Sequence, residues 1–138
     1  IQNKYGTWLD TGSPHLVIEK ENTDKLDVNL EGSSIRYNDH YKREGVNVNF
    51  VEKLSNETFK IRTYERGVEN ETLACGTGST ASAICMSYLG KSNSNIITMK
   101  CQGGDLKVQF NSKDKDFTNI SITGPANLVF EGQIDIKI

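Results

Sequence analysis

The sequence lacks an excess of positive charge, a long apolar run and an initiating methionine. Its 16 lysines and arginines are outnumbered by 18 aspartates and glutamates, which gives a net charge of -2 at pH 7. A chain without surplus basic residues is a poor nucleic-acid binder, because it cannot neutralise phosphates. The apolar runs are far shorter than the ~20 residues that a membrane-spanning helix needs. The chain opens on Ile1 without a secretory signal, so we expect a fragment or an excised domain of a longer protein.

Cysteine is also scarce, since only Cys75, Cys85 and Cys101 are present. An odd number with no close pair predicts neither a disulfide framework nor a metal site of the usual ligand spacing. Free cysteines are typical of a reducing compartment, and we therefore expect a cytoplasmic protein.

The pattern of apolar residues predicts a domain built mainly of strands. With 138 residues the chain has the size of one domain, and we expect a single domain over residues 1–138. Short β-prone runs, several of them alternating, lie at residues 5–10, 15–20, 46–51, 58–65, 95–101, 105–110 and 117–123. The strands at 46–51 and 58–65 are expected to form a hairpin. Residues 127–138 predict one last strand, or a bent pair broken at Gly132.

Two segments predict helices. Residues 28–39 are expected to form a short polar helix, and residues 79–89, "STASAICMSYL", form a second one that ends at Gly90. The second helix is small or apolar on every side, which is typical of a buried helix. A sheet that curls around it gives all its sides apolar partners. We therefore predict an α+β fold in which a mostly antiparallel sheet curls around one central buried helix.

A cysteine stands at the mouth of a glycine-rich loop, in residues 73–83, "LACGTGSTASA". Unpaired N–H groups and the positive end of the helix dipole favour a thiolate at Cys75, just before the helix. The backbone of Gly76, Thr77 and Gly78 can direct N–H groups at an anion such as a carboxylate. The pattern therefore indicates an acid/base or nucleophilic thiol beside a carboxylate site. The alternative is that Cys75 is a small packed residue in a turn. A phosphate loop is not indicated, because no Gly-Lys-Ser/Thr follows.

The residues around this loop resemble a known family. The run 64–79 begins with "YERG" and continues into "VENETLACGTGS", and it resembles the C-terminal half of diaminopimelate epimerases. The segment Thr11–His15 is similar to the Gly-Asn-Pro-His segment of that family. Residues 124–126 and 129–132 are similar to its closing strand signature. The resemblance covers nearly the whole chain, and it implies that the N-terminal domain of such an enzyme is absent here.

The resemblance implies an isomerase that works without pyridoxal phosphate or any other cofactor. Such an enzyme interconverts LL- and meso-2,6-diaminopimelate, on the route to lysine and peptidoglycan. Two cysteines face opposite sides of one α-carbon, so that one removes a proton and the other returns one. Backbone N–H groups near the α-carboxylate stabilise the carbanion. The implied partners are diaminopimelate and the N-terminal domain of the same enzyme, and a homodimer is possible. We expect the fragment to be inactive alone.

The resemblance implies three catalytic residues. Cys75 matches one of the two catalytic cysteines. Glu65 matches a carboxylate that hydrogen-bonds a catalytic thiol, and His15 matches the histidine assigned to the other cysteine.

Five more residues match positions that bind the substrate. Arg66 corresponds to the guanidinium that holds the distal carboxylate, and Asn47 to an asparagine at the same end. Gly76 and Thr77 correspond to backbone donors at the reacting carboxylate. Ser13 replaces the usual asparagine of the family, which shortens one distal contact.

The second catalytic thiol is not expected within this chain. Cys85 lies ten residues along the helix from Cys75, or roughly 15 Å at the rise of an α-helix. Cys101 follows a strand without a glycine-rich helix start. We interpret both as packing residues. Two other functions remain open, namely another isomerase of this fold, such as a proline racemase-like or phenazine-biosynthesis-like protein, and a carboxylate-binding domain without turnover.

Overall fold

The computed structural model describes residues 1–137 as one twisted sheet with two α-helices. The strands are β1 (Gln2–Asn3), β2 (Gly6–Asp10), β3 (Pro14–Glu19), β4 (Asn47–Lys53), β5 (Thr58–Glu65), β6 (Asn70–Thr72), β7 (Ile96–Cys101), β8 (Gly104–Lys113) and β9 (Asp116–Thr123). The helices are α1 (Val28–Arg36) and α2 (Gly76–Tyr88), and a short 3-10 helix spans Thr23–Lys25. No helix within residues 1–137 has the length and apolar character needed to cross a bilayer.

The sheet is mostly antiparallel, as predicted. Its strand order is β1-β2-β3-β4-β5-β7-β8-β9. Only β3 with β4 and β5 with β7 run parallel. The outer edge of β5 is shared, because β7 pairs with Thr58–Lys60 and β6 with Thr63–Glu65. The expected hairpin between β4 and β5 is present.

Helix α1 covers one face of the sheet. The Asp27 carboxylate caps its first turn by accepting the Leu30 N–H at 2.9 Å. Gly32 lets the helix approach β5 closely, since a Cβ there would lie 2.4 Å from the Cβ of Tyr64. The helix ends at Arg36, earlier than the predicted residue 39. The Asn38 side chain accepts the backbone N–H groups of residues 40 and 41, which replaces the helix with a turn.

Helix α2 covers the opposite face and is largely buried, as predicted. It contacts β2, β3, β4, β5, β7, β8 and β9, so the sheet wraps around it. The apolar cluster on this face consists of Val17, Val51, Phe59, Ile61, Ala81, Ala83, Cys85, Met86, Ile97, Met99, Val108 and Phe110. The helix begins at Gly76, three residues before the predicted start at Ser79.

The prediction of a final strand or bent pair over residues 127–138 is wrong. Residues 124–137 form no helix or strand, and large apolar side chains such as Phe130 and Ile136 are exposed. Residue 138 lies outside the described part. An apolar pattern makes a strand only where a neighbouring edge accepts its hydrogen bonds, and no strand within residues 1–137 pairs with this segment. The short strands β1 and β6 were not predicted.

Candidate active site

Cys75 lies at the start of α2, where β6 is connected to the helix. It is the N-cap residue, with extended backbone angles, and its thiol is partly exposed. The Ser79 N–H donates to the Cys75 carbonyl at 2.8 Å. Within residues 1–137, no acceptor is found for the N–H groups of Gly76, Thr77 and Gly78. Because these groups are at the positive end of the helix dipole, this end of α2 can bind an anion.

Four of the predicted site residues lie together at this helix start. The His15 Nε2 atom is 3.0 Å from both the Ser13 Oγ and the Thr77 Oγ1. The Thr77 Oγ1 is in turn 3.6 Å from the Cys75 Sγ. The hydroxyl of Thr11 donates to the Thr77 carbonyl at 3.0 Å and ties the β2–β3 turn to the helix. Two segments more than 60 residues apart in sequence therefore form one group.

The His15 ring is fully buried, with none of its surface exposed. Burial lowers the pKa of His15 to about 4, because it disfavours the imidazolium form. The nearby Asp10 raises this pKa and Arg66 lowers it, but burial is the largest cause. The ring is consequently neutral near pH 7.

Asn49 and Thr63 complete the group, and neither was predicted as a site residue. The Asn49 Nδ2 is 3.1 Å from the His15 Nδ1, and the Asn49 Oδ1 accepts the Thr63 hydroxyl at 3.0 Å. Both residues are buried. The signal that could have found Asn49 is its spacing from Asn47, since residues i and i+2 of a strand share a face.

Gly78 lets α2 reach this polar group. A Cβ at this position would lie 2.5 Å from the Asn49 Oδ1, 3.2 Å from the Cys75 Sγ and 3.3 Å from the His15 Cε1. A real Cβ cannot come so close to the amide oxygen. The glycine is therefore required by the close approach of helix and sheet.

Asn47 and Arg66 lie at the neighbouring strand ends. The Asn47 Oδ1 accepts the Arg66 backbone N–H at 2.8 Å, while its Nδ2 donates to the Pro14 carbonyl at 2.9 Å and to the Ser13 Oγ at 3.4 Å. The Arg66 guanidinium donates through Nη1 to the Glu44 carbonyl at 2.9 Å. Arg66 also lines a cleft of about 850 Å³. The Asn47 amide thus holds Ser13 and Arg66 in place.

Glu65 lies next to this group but makes no contact of the expected kind. It is half-buried at the end of β5. Within residues 1–137, no hydrogen bond or ion pair involves its carboxylate. Its expected bond to a thiol stays a prediction.

Of the other two cysteines, Cys85 is buried and Cys101 is partly exposed, as Cys75 is. Cys85 is buried in the cluster under α2, and burial raises its pKa to about 11. The Cys101 Sγ is 3.5 Å from the Ser79 Oγ, and burial raises the pKa of this thiol as well. No cluster of three or more His, Cys, Asp or Glu side chains suited to a metal ion is formed in the described chain.

Comparisons with known proteins identify the family of the chain. Residues 7–129 match the family model of diaminopimelate epimerase. The chain belongs to the diaminopimelate epimerase family. It is 55% identical to the diaminopimelate epimerase of Flavobacterium psychrophilum over 134 residues, which are 97% of this chain and 52% of that protein. It is 45% identical to that of a Hydrogenobaculum species, over all of this chain and 50% of that protein. The chain spans about half the length of these relatives.

Solved structures show the same fold at low identity. A phenazine biosynthesis protein of the PhzF family from Enterococcus faecalis superposes with a TM-score of 0.55 and 19% identity. The match covers 75% of this chain and 35% of that one. This likeness concerns the fold alone and supports the predicted architecture.

Proposed function

We propose that this chain supplies one half of the active site of a diaminopimelate epimerase, and that the site works without pyridoxal phosphate. The observation that carries the proposal is the position of Cys75. This residue, in a member of this family, combines a partly exposed thiol with three N–H groups at a helix start for which residues 1–137 provide no acceptor.

The proposed chemistry is a proton transfer at each face of the α-carbon. A thiolate on one face takes the α-proton and leaves an electron pair on the carbon. A thiol on the other face then gives its proton to that carbon, so the configuration is inverted and one proton is exchanged. Cys75 acts on one of these faces. Because both groups are thiols, either one can act as the base, so the reaction can run in both directions.

The carbanion is stabilised by the backbone at the start of α2. The N–H groups of Gly76 and Thr77 would bind the α-carboxylate, onto which negative charge spreads when the proton leaves. These donors are already oriented by the helix, so no reorganisation accompanies the reaction.

The distal end of the substrate would bind at Arg66. The guanidinium donates one N–H to the Glu44 carbonyl and lines the cleft, and its other N–H groups suit a carboxylate. Ser13 and Asn47 are the neighbouring polar groups. We assign Glu65 to the second thiol, because nothing in the described chain uses its carboxylate.

The second thiol is proposed to come from the part of the protein that this chain does not cover. Cys85 is buried with a raised pKa, and Cys101 is packed against Ser79. The free cysteines fit a reducing cytoplasm, where we place the enzyme.

The experiment is α-proton exchange of diaminopimelate in deuterated water, followed by NMR together with the stereochemical outcome. Four samples are compared: this chain alone, this chain fused to the uncovered portion of the Flavobacterium psychrophilum relative, the same fusion with Cys75→Ala, and the same fusion with Cys85→Ala. We expect exchange and inversion in the fusion but not in the chain alone. Cys75→Ala should lower the rate by roughly 10²–10⁴-fold, and Cys85→Ala should keep it within a few-fold.

Each outcome has a distinct meaning. Inversion by the chain alone would show that all catalytic thiols are present in it. Equal losses in both cysteine variants would contradict the special role of Cys75. Binding of diaminopimelate to the fusion without any exchange would instead support a carboxylate-binding domain.

A further inference from the structure

Asn49 is fixed in one orientation by its surroundings. Its Nδ2 lies 3.2 Å from the Leu16 carbonyl oxygen and 3.4 Å from that of Asn47, and both of these atoms can only accept hydrogen bonds. Its Oδ1 receives the Thr63 hydroxyl at 3.0 Å. The reverse orientation would place the amide oxygen against two carbonyl oxygens. The assignment of nitrogen and oxygen therefore follows from the hydrogen-bond network.

This orientation decides where the His15 ring carries its proton. The Asn49 Nδ2, a donor, is 3.1 Å from the His15 Nδ1. The Nδ1 atom must consequently accept, and in a neutral ring the proton is then on Nε2. The Nε2–H group lies 3.0 Å from the Thr77 Oγ1 and from the Ser13 Oγ, both of which can accept it.

The series of hydrogen bonds that begins at Asn49 ends at the Cys75 thiol. When the Thr77 Oγ1 accepts from His15, its own hydrogen can turn toward the Cys75 Sγ, 3.6 Å away, or toward the Ser13 Oγ, 3.4 Å away. The direction is then Asn49 to His15, His15 to Thr77, and Thr77 to Cys75. A negative sulfur is the natural acceptor at the end of such a chain.

We infer that Asn49 is a positioning residue that holds His15 as the neutral Nε2–H tautomer, so that His15 is a hydrogen-bond donor to the Cys75 loop and not a proton acceptor. A histidine base would need its bare Nε2 lone pair toward the site, and its Nδ1–H would then face the N–H of Asn49. The role of this tautomer in catalysis rests on the proposed function, but the assignment of the tautomer does not.

The first test is a long-range proton–nitrogen NMR spectrum of this chain labelled with ¹⁵N-histidine, at pH 7. Only His15 and the exposed His40 contribute signals, and the variant His40→Gln assigns them. For His15 we expect a bare, pyridine-like Nδ1 and a protonated, pyrrole-like Nε2. An Nδ1–H pattern, or an average of both tautomers such as exposed His40 should give, would overturn the inference.

The variant Asn49→Asp tests the cause of the tautomer. A carboxylate can only accept, so it should pull the proton to Nδ1 and change the His15 signals accordingly. An unchanged Nε2–H pattern in the folded variant would show that Asn49 does not set the tautomer. If this variant does not fold, the wild-type spectrum alone still decides the tautomer.

The hydrogen bond from Thr77 to Cys75 is tested by the rate at which iodoacetamide alkylates Cys75 at one fixed pH. Peptide mapping identifies the alkylated residue. Thr77→Val removes the hydroxyl and should slow the reaction about tenfold, the effect of one hydrogen bond to a charged group. Thr77→Ser should retain the rate. Thr80→Val is the matched control, because that hydroxyl donates to the Gly76 carbonyl in the same helix. Equal rates for Thr77→Val and Thr80→Val would overturn the link to Cys75. None of these measurements needs substrate, so they stand whether or not proton exchange is found.

Discussion

The two ends of α2 cover very different surfaces of the same sheet face. The first turn lies over buried polar side chains, those of His15, Asn49 and Thr63. The later turns pack on an apolar cluster that includes Ile61 and Met86. On β5 the change takes place between Ile61 and Thr63, two neighbouring positions on one side of the strand.

The later turns of α2 contribute to stability, whereas the first turn belongs to the proposed active site. Apolar burial under the later turns needs no partners, whereas every polar atom under the first turn must find a hydrogen bond. His15, Asn49 and Thr63 satisfy one another, and the group ends at the partly exposed Cys75. A polar interior under one end of a helix that otherwise packs on an apolar cluster is thus a feature of the site and not of the core.

The largest expected effect is a loss of stability when the apolar cluster under the later turns of α2 is changed. Phe59 is fully buried in the cluster under α2, and Phe59→Ala should lower the free energy of unfolding by about 3–5 kcal/mol. Urea unfolding at pH 7 measures this change. The control Leu54→Ala concerns a half-exposed side chain and should change stability by less than ~0.5 kcal/mol. A loss of the same size in both variants would mean that the later turns of α2 do not cover the main core.

The next effect is a pH dependence of the stability, which comes from the buried polar residues under the first turn of α2. His15 has a pKa of about 4 in the folded chain, below its ordinary value of 6.5. Between these values the unfolded state binds more protons, so stability falls as the pH is lowered from 7 to 4, by about 3 kcal/mol in total from this group. Urea midpoints across this range should fall less steeply in His15→Gln than in the wild type. His40→Gln, at an exposed position, is the matched control. Identical slopes in all three proteins would contradict a buried neutral His15.

A smaller effect separates two glycines of the same helix turn. A Cβ at Gly78 would meet the Asn49 Oδ1 at 2.5 Å, whereas at Gly76 the nearest atom, the Ile122 Cδ1, is 3.7 Å away. Gly78→Ala should therefore destabilise the chain by about 1–3 kcal/mol. Gly76→Ala should be neutral or stabilising by up to about 1 kcal/mol, because alanine favours a helix. Thermal unfolding of both variants measures the difference, and equal stabilities would refute the close approach of the first turn.

Much of this arrangement could be predicted from the sequence. The β-prone run at residues 58–65 correctly predicted β5 with the same bounds. The all-round apolar or small character of residues 79–89 correctly indicated the buried helix. The first turn was missed, because two glycines in three residues argue against a helix by propensity, and only packing against the sheet makes a helix there.

The buried partners of His15 could not be predicted in the same way. Asn49 and Thr63 look like ordinary strand residues, and their role depends on β3, β4 and β5 lying side by side. In the segment after residue 123, by contrast, the sequence predicted a strand that the structure does not contain. Its apolar pattern resembles a strand, but no strand edge in the described chain is paired with it.

The most direct test of the comparison is the order in which iodoacetamide alkylates the three cysteines of the native chain, followed by peptide mapping. Cys75 and Cys101 are both partly exposed, but burial raises the pKa of Cys101, and Cys85 is buried with a pKa of about 11. We predict that Cys75 reacts first, Cys101 much later, and Cys85 only on unfolding. Reaction of Cys101 or Cys85 at or above the rate of Cys75 would contradict the account of α2 as a helix with one reactive end.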